Sequence, residues 1–268
     1  MLYNAKELKL QLPDTEIDYI TFGKGAKPLV MIQGLSTRSI KGSAAGLAYM
    51  YRMFAKEYKV YLFDRRPEIF EGITISDLAS DVAAAMDALK LEKADVFGVS
   101  QGGMIAQYLA IKRPDLVNKL VLAVTAARNN ETMTSVIENW ISLTEQGRMK
   151  ELVSDMAEKM YSPVYFRRYR PLMPLLTILQ TPKDTNRFIT LAKSCLTCNT
   201  YDDLDKIKCK TLVLGGAEDK VVGKGACEEI AEKLGCNSHF YEGLGHAAYE
   251  EAGDFNKRVY NFLNEAAM

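Results

Sequence analysis

The sequence predicts an α/β fold: a mostly parallel central sheet flanked by helices and interrupted once by an inserted helical unit. Three observations carry this. Short β-branched or aromatic runs alternate with longer helical patterns from about residue 16 to residue 125. The alternation stops between residue 128 and about residue 203, where no convincing strand occurs, and it resumes from Lys210 onward. The chain has 268 residues, 48% hydrophobic and 25% charged, a globular composition. A chain of that length buries about 70–75% of its unfolded surface, so its stability requires neither disulfide nor metal.

The elements follow in order. Strands are predicted at 16–22, 28–33 and 58–63. A helix is predicted over 74–90, where Thr74 can cap with Asp77 and Leu78, Val82, Met86 and Leu89 form one apolar face. A strand at 94–99 runs directly into a helix opening at Gly102 and ending near Pro114, and a further strand follows at 119–124. The insertion at 128–203 holds the only tryptophan, Trp140, and four of the eight prolines. Strands at 210–215 and 238–242 and helices at 224–234 and 252–266 complete the pattern. The expected organisation is therefore a core domain built from residues 1–127 and 204–268, with a helical cap at 128–203.

Charge and cysteine usage narrow the function. Thirty-four basic residues balance 34 acidic ones, which argues against a footprint for nucleic acid or anionic lipids. Five cysteines (Cys195, Cys198, Cys209, Cys227, Cys236) are an odd number, and the N-terminal residues lack a basic stretch followed by an apolar run. A cytoplasmic protein with reduced thiols is expected. No apolar run approaches 18 residues, so no membrane span is expected.

Gly98-Val-Ser-Gln-Gly102 matches G-x-S-x-G, a weak signal alone. Its place between a strand and a helix sharpens it. A serine on such a turn adopts a strained backbone and projects its hydroxyl above the sheet, which requires small neighbours such as Gly98, Gly102 and Gly103. The alternative is a glycine-rich turn in which Ser100 merely caps the helix. A serine hydroxyl needs a base, most often histidine, and the chain has two. His239 lies within an alternating strand. His246 lies in the loop Gly243-Leu-Gly-His246 at the carboxyl edge of the sheet, where α/β sites are built. The base needs an acid to fix its tautomer. Glu218 and Asp219 both follow the strand at 210–215, and Asp219 is the preferred candidate. Backbone N–H groups for a developing oxyanion are expected from Gln101 and from Leu35, in the turn after the strand at 28–33.

Taken with Gln33-Gly-Leu-Ser36 and Gly215-Gly-Ala-Glu-Asp219, these motifs make the chain resemble the α/β-hydrolase fold superfamily, in its group of small lidded serine hydrolases. The resemblance covers about residues 15 to 265. It implies a triad in the order Ser100, Asp219, His246, an oxyanion hole at Leu35 and Gln101, and a lid at about 128–203 that shapes the substrate pocket. Members usually carry His-Gly where this chain has Gln33-Gly34. The common Asp-x-Arg-Gly-x-Gly-x-Ser stretch stands here as Asp64-Arg-Arg-Pro-Glu-Ile-Phe-Glu-Gly72.

The expected activity is cofactor-independent hydrolysis of a small or medium, partly apolar acyl compound, a carboxylic ester or thioester. The same triad serves C–C bond hydrolysis and lyase chemistry, and the fold also hosts ligand-binding proteins without turnover. Lid arginines (Arg167, Arg168, Arg170) could clamp a substrate carboxylate or form a solvated face. The lid methionines (Met133, Met149, Met156, Met160, Met173) could line an adaptable pocket or serve ordinary packing. Cys195-Leu-Thr-Cys198 has half a zinc spacing but lacks a second pair at ligand spacing, so no metal is expected.

Overall fold

A computed structural model describes residues 2–265. Eight strands among them form one sheet: β1 (Lys6–Gln11), β2 (Glu16–Phe22), β3 (Lys27–Ile32), β4 (Tyr58–Phe63), β5 (Ala94–Val99), β6 (Val117–Ala123), β7 (Lys210–Gly216) and β8 (Asn237–Tyr241). Their spatial order is β1-β2-β4-β3-β5-β6-β7-β8. β1 and β2 run antiparallel to their neighbours, and β3 through β8 are mutually parallel. The helices are α1 (Ala44–Met50), α2 (Ile75–Ala88), α3 (Gln101–Lys112), α4 (Glu131–Glu145), α5 (Met149–Met160), α6 (Pro163–Tyr169), α7 (Met173–Gln180), α8 (Thr185–Cys195), α9 (Ala226–Leu234), α10 (Ala248–Glu251) and α11 (Phe255–Asn264).

Period-two alternation along the strands sends side chains into two cores. Val30, Ile32, Val96, Leu120 and Leu122 pack on one face with Leu78, Val82 and Met86 of α2 and Ile105 and Leu109 of α3. Leu29, Met31, Phe97 and Val121 pack on the other with Phe54 and with Phe255, Val259 and Phe262 of α11. β5 is buried along its whole length, as a strand covered by helices on both faces must be. The Thr74 cap forms as a full capping box: Thr74 Oγ1 accepts from Asp77 N at 3.1 Å, and Thr74 N donates to Asp77 Oδ2 at 2.9 Å. Such a cap contributes about 1 kcal/mol.

Two elements are absent from the sequence expectation. β1 is a mostly exposed edge strand joined to β2 through Pro13-Asp14, although Leu8, Leu10 and Leu12 alternate with Lys9 and Gln11 at strand period. α1 buries only Ala48 and is short. The helix predicted at 252–266 is α11, which starts at Phe255, and the short α10 precedes it ahead of Gly253. Residue 266 of that prediction, and the outermost residues of the predicted core domain, lie outside the described residues. Between β6 and β7 the chain forms α4 through α8, and its one β contact there is an isolated bridge, Arg128 to Asn199.

Candidate active site

Ser100 sits where β5 turns into α3, with φ 54° and ψ −120°. A non-glycine residue in that region is strained by on the order of 1–3 kcal/mol and persists only when its surroundings impose it. They do so by contact. A Cβ on Gly98 would stand 2.4 Å from the Gly102 carbonyl oxygen, and one on Gly102 would stand 1.9 Å from that of Ile32. The turn therefore closes only with glycine on both sides. Thr125 braces it, its hydroxyl donating to the Ser100 carbonyl at 2.8 Å.

Three predicted residues meet at the carboxyl edge of the sheet. Ser100 Oγ lies 2.9 Å from His246 Nε2, and His246 Nδ1 lies 2.8 Å from Asp219 Oδ2. The other Asp219 oxygen accepts from the N–H groups of Val221 and Val222 at 2.8 and 3.0 Å. His246 and Asp219 are only 3% and 4% exposed, so their contact is largely shielded from water. Glu218, the other carboxylate on this loop, pairs instead with Lys224. His239 stays on β8 and packs edge-on against Tyr241, away from the serine.

The turn after β3 lies against Ser100: a Cβ on Gly34 would meet Ser100 Cβ at 3.2 Å. Neither Leu35 N–H nor Gln101 N–H donates to another group among the described residues. Both remain available to a ligand beside Ser100.

The sequence reading missed the group behind this turn. Arg65 is buried, and its Nη2 donates to the Gln33 carbonyl at 2.6 Å and to Gln101 Oε1 at 3.2 Å. Its Nε also reaches Gln101 Oε1, at 3.3 Å. Burial lowers the guanidinium to about 10, opposed by the Asp64 carboxylate, and it remains a cation at neutral pH. Gln101 is thereby fixed at both ends, because its Nε2 donates to the Leu191 carbonyl of α8 at 2.9 Å and to Ser194 Oγ at 3.2 Å. The available signal was the altered stretch beginning Asp64-Arg65-Arg66, together with Gln33 in place of the usual histidine.

Above Ser100 lies a cavity of about 50 Å³, walled by Leu35, Met104, Met133, Ile137, Trp140, Met156, Met160 and Cys195, with Ser100 and His246 at its floor. Three of the five predicted lid methionines reach it; Met149 and Met173 do not. Arg167, Arg168 and Arg170 are exposed and take no part in its lining. Burial pushes the Cys195 thiol up to about 11, so it is an inert apolar surface and not a nucleophile.

Comparison with known proteins agrees with this architecture. A family model described as alpha/beta hydrolase fold matches residues 27–253. The chain is 24% identical over 230 residues to 3-oxoadipate enol-lactonase 2 of Acinetobacter baylyi, covering 82% of this chain and 84% of the relative. It is 26% identical over 269 residues to the 2-hydroxy-6-oxononadienedioate/2-hydroxy-6-oxononatrienedioate hydrolase of Paraburkholderia xenovorans, covering 93% and 91%. Among solved structures, an alpha/beta hydrolase enzyme from a Medee basin deep-sea metagenome library superposes with TM-score 0.88 at 21% identity, covering 97% and 98%. The enol-lactonase of Burkholderia xenovorans superposes with TM-score 0.83 at 20% identity, covering 96% and 100%. The relatives named are hydrolases, and a family pattern matched across most of the chain makes this protein an enzyme of the alpha/beta hydrolase fold family.

Proposed function

We propose that the protein is a serine hydrolase of a neutral, largely apolar small or medium acyl compound, a carboxylic ester or thioester, with Ser100 as nucleophile, His246 as base and Asp219 as orienting acid. The observation that supports it most is the hydrogen-bonded line from Ser100 Oγ through His246 to Asp219 at the floor of an apolar cavity. Ser100 Oγ attacks the carbonyl carbon as its proton passes to His246 Nε2, and the Leu35 and Gln101 amides receive the oxyanion. The tetrahedral adduct collapses, the C–O or C–S bond breaks, and the imidazolium returns the proton to the leaving group. Water then attacks the acyl-enzyme with its proton going to His246, and the acid departs. A donor in the oxyanion position contributes about 10²–10³ in rate.

Substrate class follows from the lining. No Lys, Arg, Asp or Glu side chain lines the cavity, and the lid arginines face water, which removes the support for an acidic substrate. The two curated relatives are named for carboxylate-bearing compounds, so the apolar lining argues for a different preference here. Residues 128–203 act in this reading as a lid over the core, supplying Met133, Ile137, Trp140, Met156 and Met160. The free volume is well below the roughly 300–1,000 Å³ of a typical small-molecule site, so entry requires these side chains or their helices to shift.

Intact-mass analysis after fluorophosphonate treatment tests the reading. An adduct on Ser100, lost in both Ser100→Ala and His246→Ala, is expected, followed by turnover of neutral esters in preference to acidic ones. A folded protein that takes no adduct, or that prefers dicarboxylate esters, overturns it.

A further inference from the structure

α6 and α7 form a surface that the proposed acyl chemistry does not use. Neither helix buries a single side chain. Val164 is 81% exposed, Ile178 70% and Leu175 54%, and Leu172 and Leu179 are exposed as well. Leu172, Leu175, Ile178 and Leu179 recur at helical spacing and so form one stripe. Singly exposed apolar residues are ordinary; a contiguous stripe along an unburied helix is not.

The segment's own charge has one sign, although Glu250 and Glu251 of α10 reach its first residues, Tyr161 and Ser162. Residues 161–183 contain Arg167, Arg168, Arg170 and Lys183 and no Asp or Glu, in a chain whose total charge is zero. On α6, Arg167 and Arg168 stand three and four residues beyond Val164 and share its exposed face. None of the three arginines forms an ion pair among the described residues, whereas Arg113, Arg148 and Arg258 each pair with a carboxylate two to four residues away. Tyrosines line the base of the same segment, with Tyr161 and Tyr165 stacked at 5.0 Å and Tyr165 and Tyr169 at 4.4 Å.

We propose that α6 and α7 dock the protein on an anionic lipid surface, with the Leu172, Leu175, Ile178 and Leu179 stripe entering the interface and Arg167, Arg168 and Arg170 contacting lipid phosphates. Apolar residues beside unpaired cations and aromatic rings match the chemistry of the boundary between headgroups and acyl chains. A second copy of the chain fits less well, because a two-fold contact through this face would bring its arginines against their own copies. The contact is peripheral: among the described residues no helix is long and apolar enough to cross a membrane. α6 begins at Pro163, three residues after Met160 of the cavity wall, so a docked protein would hold its acyl cavity beside the lipid. The zero net charge of the chain conceals this local excess.

Vesicle co-sedimentation tests the proposal. The wild type is expected to pellet with vesicles of phosphatidylcholine and phosphatidylglycerol in equal parts, to pellet weakly with phosphatidylcholine alone, and to be released by added salt. Arginines near an anionic surface contribute about fivefold each in partitioning, so replacing Arg167, Arg168 and Arg170 together by Gln lowers binding by about a hundredfold. Leu175→Asp with Ile178→Asp abolishes it, while the melting temperature of both variants stays at the wild-type value because no buried contact is lost. Failure of the wild type to pellet, equal binding to both vesicle types, or unaltered binding by the variants overturns the proposal. So does a solution dimer that Ile178→Asp converts to monomer, which would assign this face to a second copy of the chain.

Discussion

The two ends of the inserted helical run and its middle are built on opposite rules. α4 and α8 bury Met133, Val136, Ile137, Trp140 and Phe188, Leu191, Ala192, Cys195, and they continue the core on one face of the sheet. α6 and α7, between them in sequence, bury none. Segments of comparable hydrophobicity thus play different parts: Met173-Pro-Leu-Leu-Thr-Ile-Leu-Gln180 is more apolar than much of α4, yet Leu175, Ile178 and Leu179 face outward. Hydrophobicity selects what seeks a dry partner; topology decides whether the partner is the core.

That contrast can be broken or sharpened by mutation, beginning with the sheet edge on which the buried ends converge. Ser100→Ala is expected to lower kcat by about 10⁶-fold in ester hydrolysis while relieving no packing, so thermal unfolding should be unchanged or raised. Asp219→Asn keeps the bond to His246 but fixes the wrong tautomer, and kcat should fall by about 10⁴-fold in steady-state assays. Trp140→Ala removes a 3% exposed indole whose Nε1 donates to Asp155 at 2.8 Å, and should cost about 3–5 kcal/mol in denaturant unfolding. Arg65→Met is expected to lower kcat by about tenfold to a hundredfold with a much smaller change in KM, because the Gln33 and Gln101 oxygens lose their shared donor. Ile178→Ala, in the middle of the run, should change unfolding free energy by under about 0.5 kcal/mol. Equal costs for Trp140→Ala and Ile178→Ala would erase the distinction between the two parts.

The strands and the hydrogen-bonded residues were legible because they depend on local rules. Gly98, Gly102 and Gly103 announce a tight turn, and Ser100, Asp219 and His246 each follow a short β-branched or aromatic run that reads as a strand. β1 went unread although Leu8, Leu10 and Leu12 alternate with polar residues, because the run is short, its other positions are charged and Leu8 stays exposed at the sheet edge. Arg65 stayed hidden for a different reason. Its partners lie 32 and 36 residues away, and one of them is a backbone carbonyl, which leaves no trace in side-chain identity. The exposure of α6 and α7 was illegible because apolar periodicity marks a face without naming what covers it.

Gln101 has a consequence that reaches beyond the turn it occupies. One residue offers its backbone N–H beside Ser100 and, through its side chain, grips the Leu191 carbonyl of α8. Helix position and the geometry of the turn proposed to receive the oxyanion are therefore two ends of one lever, and thermodynamic linkage makes the lever work both ways. A compound that draws α8 outward loosens the reacting centre, and a transition-state mimic seated at Ser100 clamps α8 in place. Tight binding of such a mimic would be read as protection of the α8 amides from hydrogen exchange, about 90 residues along the chain from the atom it touches.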